Sequence, residues 1–144
     1  VDLNDKEMNR FDQDFRFGSV QLKSNFFLVK LLEDIGYDGM RHFDAHAYRT
    51  EQEDGVWEFA RGCMRTYLIL REKADRFNGD PEIQGMLSEL HTESANWDSI
   101  VAGYTSDKAA QLQAKDFDVD AMAKRDFMYE KLDQLTVEII LGIR

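Results

Sequence analysis

The side chains best suited to chemistry cluster near the start of the chain. Asp2 follows a single apolar residue in VDLND, where a carboxylate at the end of a strand can ligate a metal or simply sit solvated in a loop. Asp12 and Asp14 in FDQDFRFG stand two apart, close enough to offer oxygens to one hard cation, which takes about six. The glycine and later glutamate of a calcium-binding loop do not follow at the required offsets, so a turn is the plainer role for this pair. His42, Asp44 and His46 in RHFDAH offer donors of the kind zinc accepts. No glutamate follows His42 as a zinc-protease motif requires, and the segment lacks a helical pattern, which leaves loop hydrogen bonding as the alternative.

Nucleophilic chemistry has less to work with. Cys63 falls on the apolar seam of a long helical pattern, where a thiol acts as a small hydrophobe and loses reactivity with burial. Trp57, Trp97 and the methionines share helical spacing that suits packing. Neither a glycine-rich phosphate loop nor a serine elbow occurs.

The elements that must position these groups read as mainly helical. Val20, Phe27, Leu28, Leu31, Leu32 and Ile35 recur mostly at steps of three and four, which predicts a helix capped by Ser19 and stopped by Gly36. RHFDAHAYRT reads as an extended loop. Thr50 and Glu53 have capping-box spacing, and Val56, Ala60, Cys63, Tyr67, Leu70, Ala74 and Phe77 then keep one stripe on one face. Asn78, Gly79, Asp80 and Pro81 should end that helix, with Gly79 in the left-handed cap and Pro81 opening the next. Shorter helices are expected over 82–90, 95–103 and 107–115. A last one, from Asp118 or Asp120 to Gly142, should carry Met128, Leu132, Leu135 and Ile139 on one face.

Only Val1 to Leu3 read as strand, and a strand so short needs neighbours to pair its backbone. The expectation is a chain cut from something longer, whose sheet lies elsewhere. Its 144 residues carry 28 acids against 18 bases, a net charge of −10 that repels nucleic-acid phosphates and anionic lipid. No apolar run is long enough to span a membrane. With a single cysteine, which cannot pair within the chain, the cytoplasm is the expected location.

VDLND, FDQDFRFG, YDGMRHFD, RTEQEDGVWEFARGCMRTYLILREKADRF, DPEIQ and KLDQLTVEIILGIR together resemble, in order, the carboxyl-terminal part of bacterial xylose isomerases, also called glucose isomerases, in their shorter, actinobacterial-type class. The likeness covers nearly the whole chain and is thinnest from Gly85 to Lys115. It implies the end of a (β/α)8 barrel followed by a helical extension. Val1 to Leu3 would be the tip of the eighth strand, FDQDFRFG the loop leaving it, and Glu51 to Phe77 the last barrel helix. Residues 1–78 would then be the barrel remnant and 79–144 an oligomerisation tail embracing a neighbouring subunit, in a tetramer or dimer.

The resemblance also assigns chemistry. Asp2 matches the family's final metal-binding aspartate. The implied reaction interconverts D-xylose and D-xylulose, and D-glucose and D-fructose, by a hydride shift between two carbons whose oxygens are polarised by two divalent cations, Mg2+, Mn2+ or Co2+. The other metal ligands and the proton-handling residues of the family precede the position of Val1. No catalytic or cofactor-binding residue is therefore expected here, only the metal ligand Asp2, and 144 residues alone should bind cations feebly and leave the aldose unchanged. The alternative reading is a non-enzymatic helical module that self-associates or binds a partner through the seam from Val56 to Phe77 and the terminal helix.

Overall fold

An apolar stripe that repeats every three to four residues buries itself only against another such stripe, and the packing of the first two helices follows from this. The computed structural model describes residues 1–5, 14–103, 105–116, 118–125 and 128–144, and of residues 92–101 and 122 the backbone alone. Asp12 and the side chain of Trp97 lie outside the described residues. Six α-helices are described: α1 (Leu22–Asp34), α2 (Glu53–Gly79), α3 (Pro81–Val101), α4 (Ser106–Gln113), α5 (Val119–Ala123) and α6 (Tyr129–Leu141). Extended pairing among the described residues is limited to two isolated bridges, Asp2 with His42 in parallel and Asp5 with Phe15 antiparallel.

The chain forms two compact units, one of residues 1–79 with 136–144 and the other of residues 80–135. In the first, α1 packs on α2. Cys63, Tyr67, Leu70, Ala74 and Phe77 are buried along α2, and Phe26, Val29 and Leu32 along α1. Phe26 and Phe77 meet with ring centroids 5.7 Å apart, a tilted contact that adds to the roughly 1.5–3 kcal/mol each such side chain gains by burial. The stripe on α2 is thus real from Cys63 onward, while Val56 at its start is exposed. On α1 and at its two ends the apolar residues divide into two sets: Leu32 turns inward, and Val20 before the helix, Phe27 and Leu31 on it and Ile35 at its C-cap are exposed.

Several helix ends differ from their expected form. Ser19 does not cap α1; its N–H donates to Arg16 O in a turn, and Gln21 is the cap residue without a side-chain capping bond. The capping oxygens come instead from Asp5, as described below. Gly36 does stop α1: at φ +63° it lets Tyr37 N donate to Leu32 O and Gly36 N to Glu33 O, pairing carbonyls the helix would otherwise orphan. Helix α2 begins at Glu53, which puts that residue at the first helical position and takes the expected Thr50–Glu53 box out of register. Gly79 closes α2 without a left-handed conformation, because Asp80 and Pro81 start α3 at once: Asp80 Oδ1 accepts from Glu82 N and Ile83 N, both at 3.0 Å.

In the second unit, the pieces expected over 82–90 and 95–103 are one helix, α3, since no glycine or proline stands between Leu90 and Ala95 to break it. It packs with α4, whose first turn is capped by Thr105 Oγ1 accepting from Lys108 N at 3.2 Å. The single helix expected from Asp118 or Asp120 is two, α5 and α6. Met128 precedes α6 and is exposed, whereas Leu135 is buried; the end of α6, with Ile139 buried and Gly142 stopping the helix as expected, belongs to the first unit.

Candidate functional site

Extended backbone sends successive side chains to opposite sides, and that alternation decides what VDLND presents. Val1 O accepts from His42 N at 2.8 Å, and Leu3 N donates to His42 O at 2.6 Å. Leu3 is fully buried, so Asp2 is turned outward, its side chain 72% exposed. His42 Nδ1 lies 3.7 Å from Asp2 Oδ1, within ion-pair range when the imidazole is protonated.

Asp5 closes the segment on its other side. Its N–H donates to Phe15 O at 3.1 Å, and its side chain, 1% exposed, accepts from Val20 N at 2.6 Å and from Gln21 N at 3.0 Å. These are backbone donors at the entry to α1, which the helix cannot satisfy itself and where its dipole favours an acid. An acid from well outside the helix therefore does the work expected of Ser19. Nothing in local sequence signals this, since Asp5 and the donors are joined only by the fold.

The remaining candidates divide between two places. His42, Asp44 and His46 are all exposed along one side of their extended segment, but His46 Nε2 faces Asp14 Oδ2 at 3.7 Å while His42 faces Asp2. Among the described residues no group of three or more His, Cys, Asp or Glu side chains converges as a metal site would require. Beside His46 and Asp14 opens a cleft of about 660 Å³, walled by Phe15, Tyr48 and Phe59 and edged by Arg16 and Glu58. Cys63 is buried, and burial pushes its thiol pKa up, so it takes no part.

A network that the sequence did not single out holds the His42 segment in place. Arg41 Nε donates to the Tyr67 hydroxyl at 2.5 Å, and that hydroxyl donates to Glu33 Oε1 at 2.5 Å. Arg41 Nη2 also reaches Glu33 Oε1 at 3.2 Å and Tyr37 O at 2.8 Å, and Nη1 reaches Gly39 O at 3.1 Å. Burial, followed by the Glu33 bond, raises the Tyr67 pKa, against the opposing pull of Arg41. The hydrogen bond to Tyr67 likewise holds the Arg41 guanidinium in its charged form.

A divalent cation of the hard class takes about six oxygens. Asp2 fits as one ligand of such a set, outward and braced on both sides, but the described residues of this chain do not complete it. No described helix is long and apolar enough to cross a membrane.

No family model matches the chain. Curated xylose isomerases do: those of Thermus thermophilus and Thermus caldophilus are 53% and 52% identical to it over all 144 residues, and that of Streptomyces lividans 44%. The aligned stretch is all of this chain but only 37%, 37% and 36% of those three proteins, so the chain spans little more than a third of their length. From its first residue to its last, the chain is a relative of the xylose isomerases, homologous to a segment of those enzymes.

Proposed function

We propose that the chain is the carboxyl-terminal portion of a xylose isomerase that interconverts D-xylose and D-xylulose, and D-glucose and D-fructose, and that it contributes the last metal-binding carboxylate, Asp2. Residues 1–78 close a (β/α)8 barrel in this reading and residues 79–144 form a tail that engages another subunit of a tetramer or dimer. The work is done in the cytoplasm. Divalent cations, Mg2+, Mn2+ or Co2+, supply Lewis acidity at the oxygens of the two aldose carbons between which hydride moves. The part of this chain is to present the Asp2 carboxylate at a fixed point, with His42 beside it. The observation that carries the reading is that exposed carboxylate, held between two backbone anchors in a segment homologous to the enzymes throughout.

The exposed apolar lines also favour burial against the rest of a barrel or a neighbouring subunit: Phe27 and Leu31 on α1 with Val20 and Ile35 at its ends, and Trp57, Met64 and Leu68 on α2. The 144 residues alone do not turn over sugar in this reading, since one aspartate does not enclose a cation. The test is Asp2→Asn in the full-length protein. Xylose-to-xylulose conversion with Mg2+ should fall by more than the roughly 10–100-fold that changes just outside a metal's ligand set cost. Wild-type conversion in the Asn variant, or conversion by the purified 144-residue chain alone, would overturn the proposal.

A further inference from the structure

We propose that Asp5 is a positioning residue for the Asp2 carboxylate, an inference that rests on the reading of Asp2 as a metal ligand. Asp2 and Asp5 are three residues apart, a span of about 10 Å at most. On the Asp2 side the backbone is held by the Val1–His42 and Leu3–His42 bonds; on the other it is held by Asp5, whose main chain binds Phe15 and whose side chain binds both amides at the entry to α1. Between these clamps only Asn4 joins Leu3 to Asp5, so the position of the Asp2 carboxyl group is set to within rotation of its own side chain.

The clamp is one-sided in its dependence on Asp5. Gln21 provides no side-chain cap, so removing the Asp5 carboxyl leaves Val20 N and Gln21 N without their acceptor and opens a hole where a side chain was almost fully buried. The VDL strand then keeps its bridge to His42 and the Asp5 N–H bond to Phe15 O, but loses the side-chain tie to the entry of α1 that fixes its depth and tilt. A cation whose ligands must converge at fixed distances senses such a shift even when the fold survives.

The experiment is made on the full-length protein, with Mn2+ binding measured by titration calorimetry and conversion of xylose followed across Mn2+ concentrations. Asp5→Ala should weaken Mn2+ binding about tenfold while saturating Mn2+ restores most of kcat. Asp5→Asn, which keeps one oxygen able to accept from both amides, should lose less than the Ala variant. Phe77→Leu, a core change on α2, gives the cost of general destabilisation, and Asp2→Asn tests the underlying reading. If Asp2→Asn abolishes tight Mn2+ binding and Asp5→Ala binds no worse than Phe77→Leu, the positioning role is overturned while the reading of Asp2 stands. If Asp2→Asn binds Mn2+ like the wild type, both fall. Should Asp5→Ala fail to fold, the comparison of Asp5→Asn with Phe77→Leu decides on the same terms.

Discussion

Replacing Tyr67 with Phe removes one oxygen from the centre of the Arg41–Glu33–Tyr67 network and leaves the ring, so its cost can be worked from the bonds alone. Each of the two hydroxyl bonds goes to a charged group and is worth about 1.5–3 kcal/mol, or together about 3–6 kcal/mol if nothing replaced them. Two features reduce this sum. Arg41 and Glu33 are already 3.2 Å apart and each is 26% exposed, so the pair survives and water reaches what is left open. The guanidinium also keeps its place 5.2 Å from the ring centroid, and the ring still meets Phe17 at 6.4 Å. A net loss of about 2 kcal/mol follows. Hydrogen exchange reads it locally: amides of α1 and α2 that open with this unit should exchange about 30-fold faster in the variant. The pH dependence carries the sign of the Tyr67 shift. A phenol whose folded pKa is raised above its unfolded value of 10.0 gives stability that is whole below pH 10 and is lost as pH rises through the folded pKa. The gap between wild type and variant should therefore narrow above pH 10. An exchange rate changed less than twofold, or a gap constant from pH 7 to 11, would refute the claim that this hydroxyl ties the two helices to the Arg41 segment.

Gly18 sits at φ +81°, and a Cβ built there would run into Thr66 Cγ2. Gly18→Ala should cost about 1–3 kcal/mol in thermal or urea unfolding, and an unchanged midpoint would show that the turn into α1 yields freely. Cys63 is fully buried and its thiol is pushed up by burial, so iodoacetamide at neutral pH should label it only at the rate at which the unit opens, and urea should bring the reaction to that of a free thiol. Complete labelling of the folded protein at the free-thiol rate would place Cys63 at the surface instead.

What the sequence disclosed was periodic or local. The Cys63 to Phe77 stripe, the stop at Gly36, Pro81 opening α3 and the extended run through His42 were legible because each depends on residues within a few positions of one another. The ends of α1 and α2 were misjudged where local rules competed: Ser19 has the right chemistry to cap, but Asp5 holds the amides first. Exposure on α1 was not legible for a related reason. Phe27, Leu31 and Ile35 are apolar at helical spacing, yet they are largely exposed, with Phe27 meeting α2 at the edge of Phe77, and spacing alone does not say which of two apolar lines meets which partner. The Asp2 position needed the quoted motifs, because a single aspartate after an apolar residue carries no pattern of its own. Arg41 was silent, since its partners Glu33, Tyr37, Gly39 and Tyr67 come from α1, from the turn after it and from α2.

These long-range contacts form a line from the core to the candidate ligand. Tyr67, buried on α2, holds Arg41; Arg41 is bonded in sequence to His42; and His42 pairs on both sides of Asp2 through Val1 O and Leu3 N. Asp5 supplies the second route, from the entry of α1 back to the same segment. The two routes share the α1–α2 pair, because Glu33 lies on α1 and completes the Tyr67 bond. An exposed carboxylate that faces a single, likewise exposed imidazole has little of its own to fix it, so its precision must be inherited from buried groups, and here both sources of that precision lead back to one helix pair. It follows that removing the Tyr67 hydroxyl or the Glu33 carboxylate, which hold Arg41 next to His42, acts on the Asp2 carboxylate through its anchor, whereas a buried position outside these two routes, such as Phe77, acts on it only through the fold as a whole.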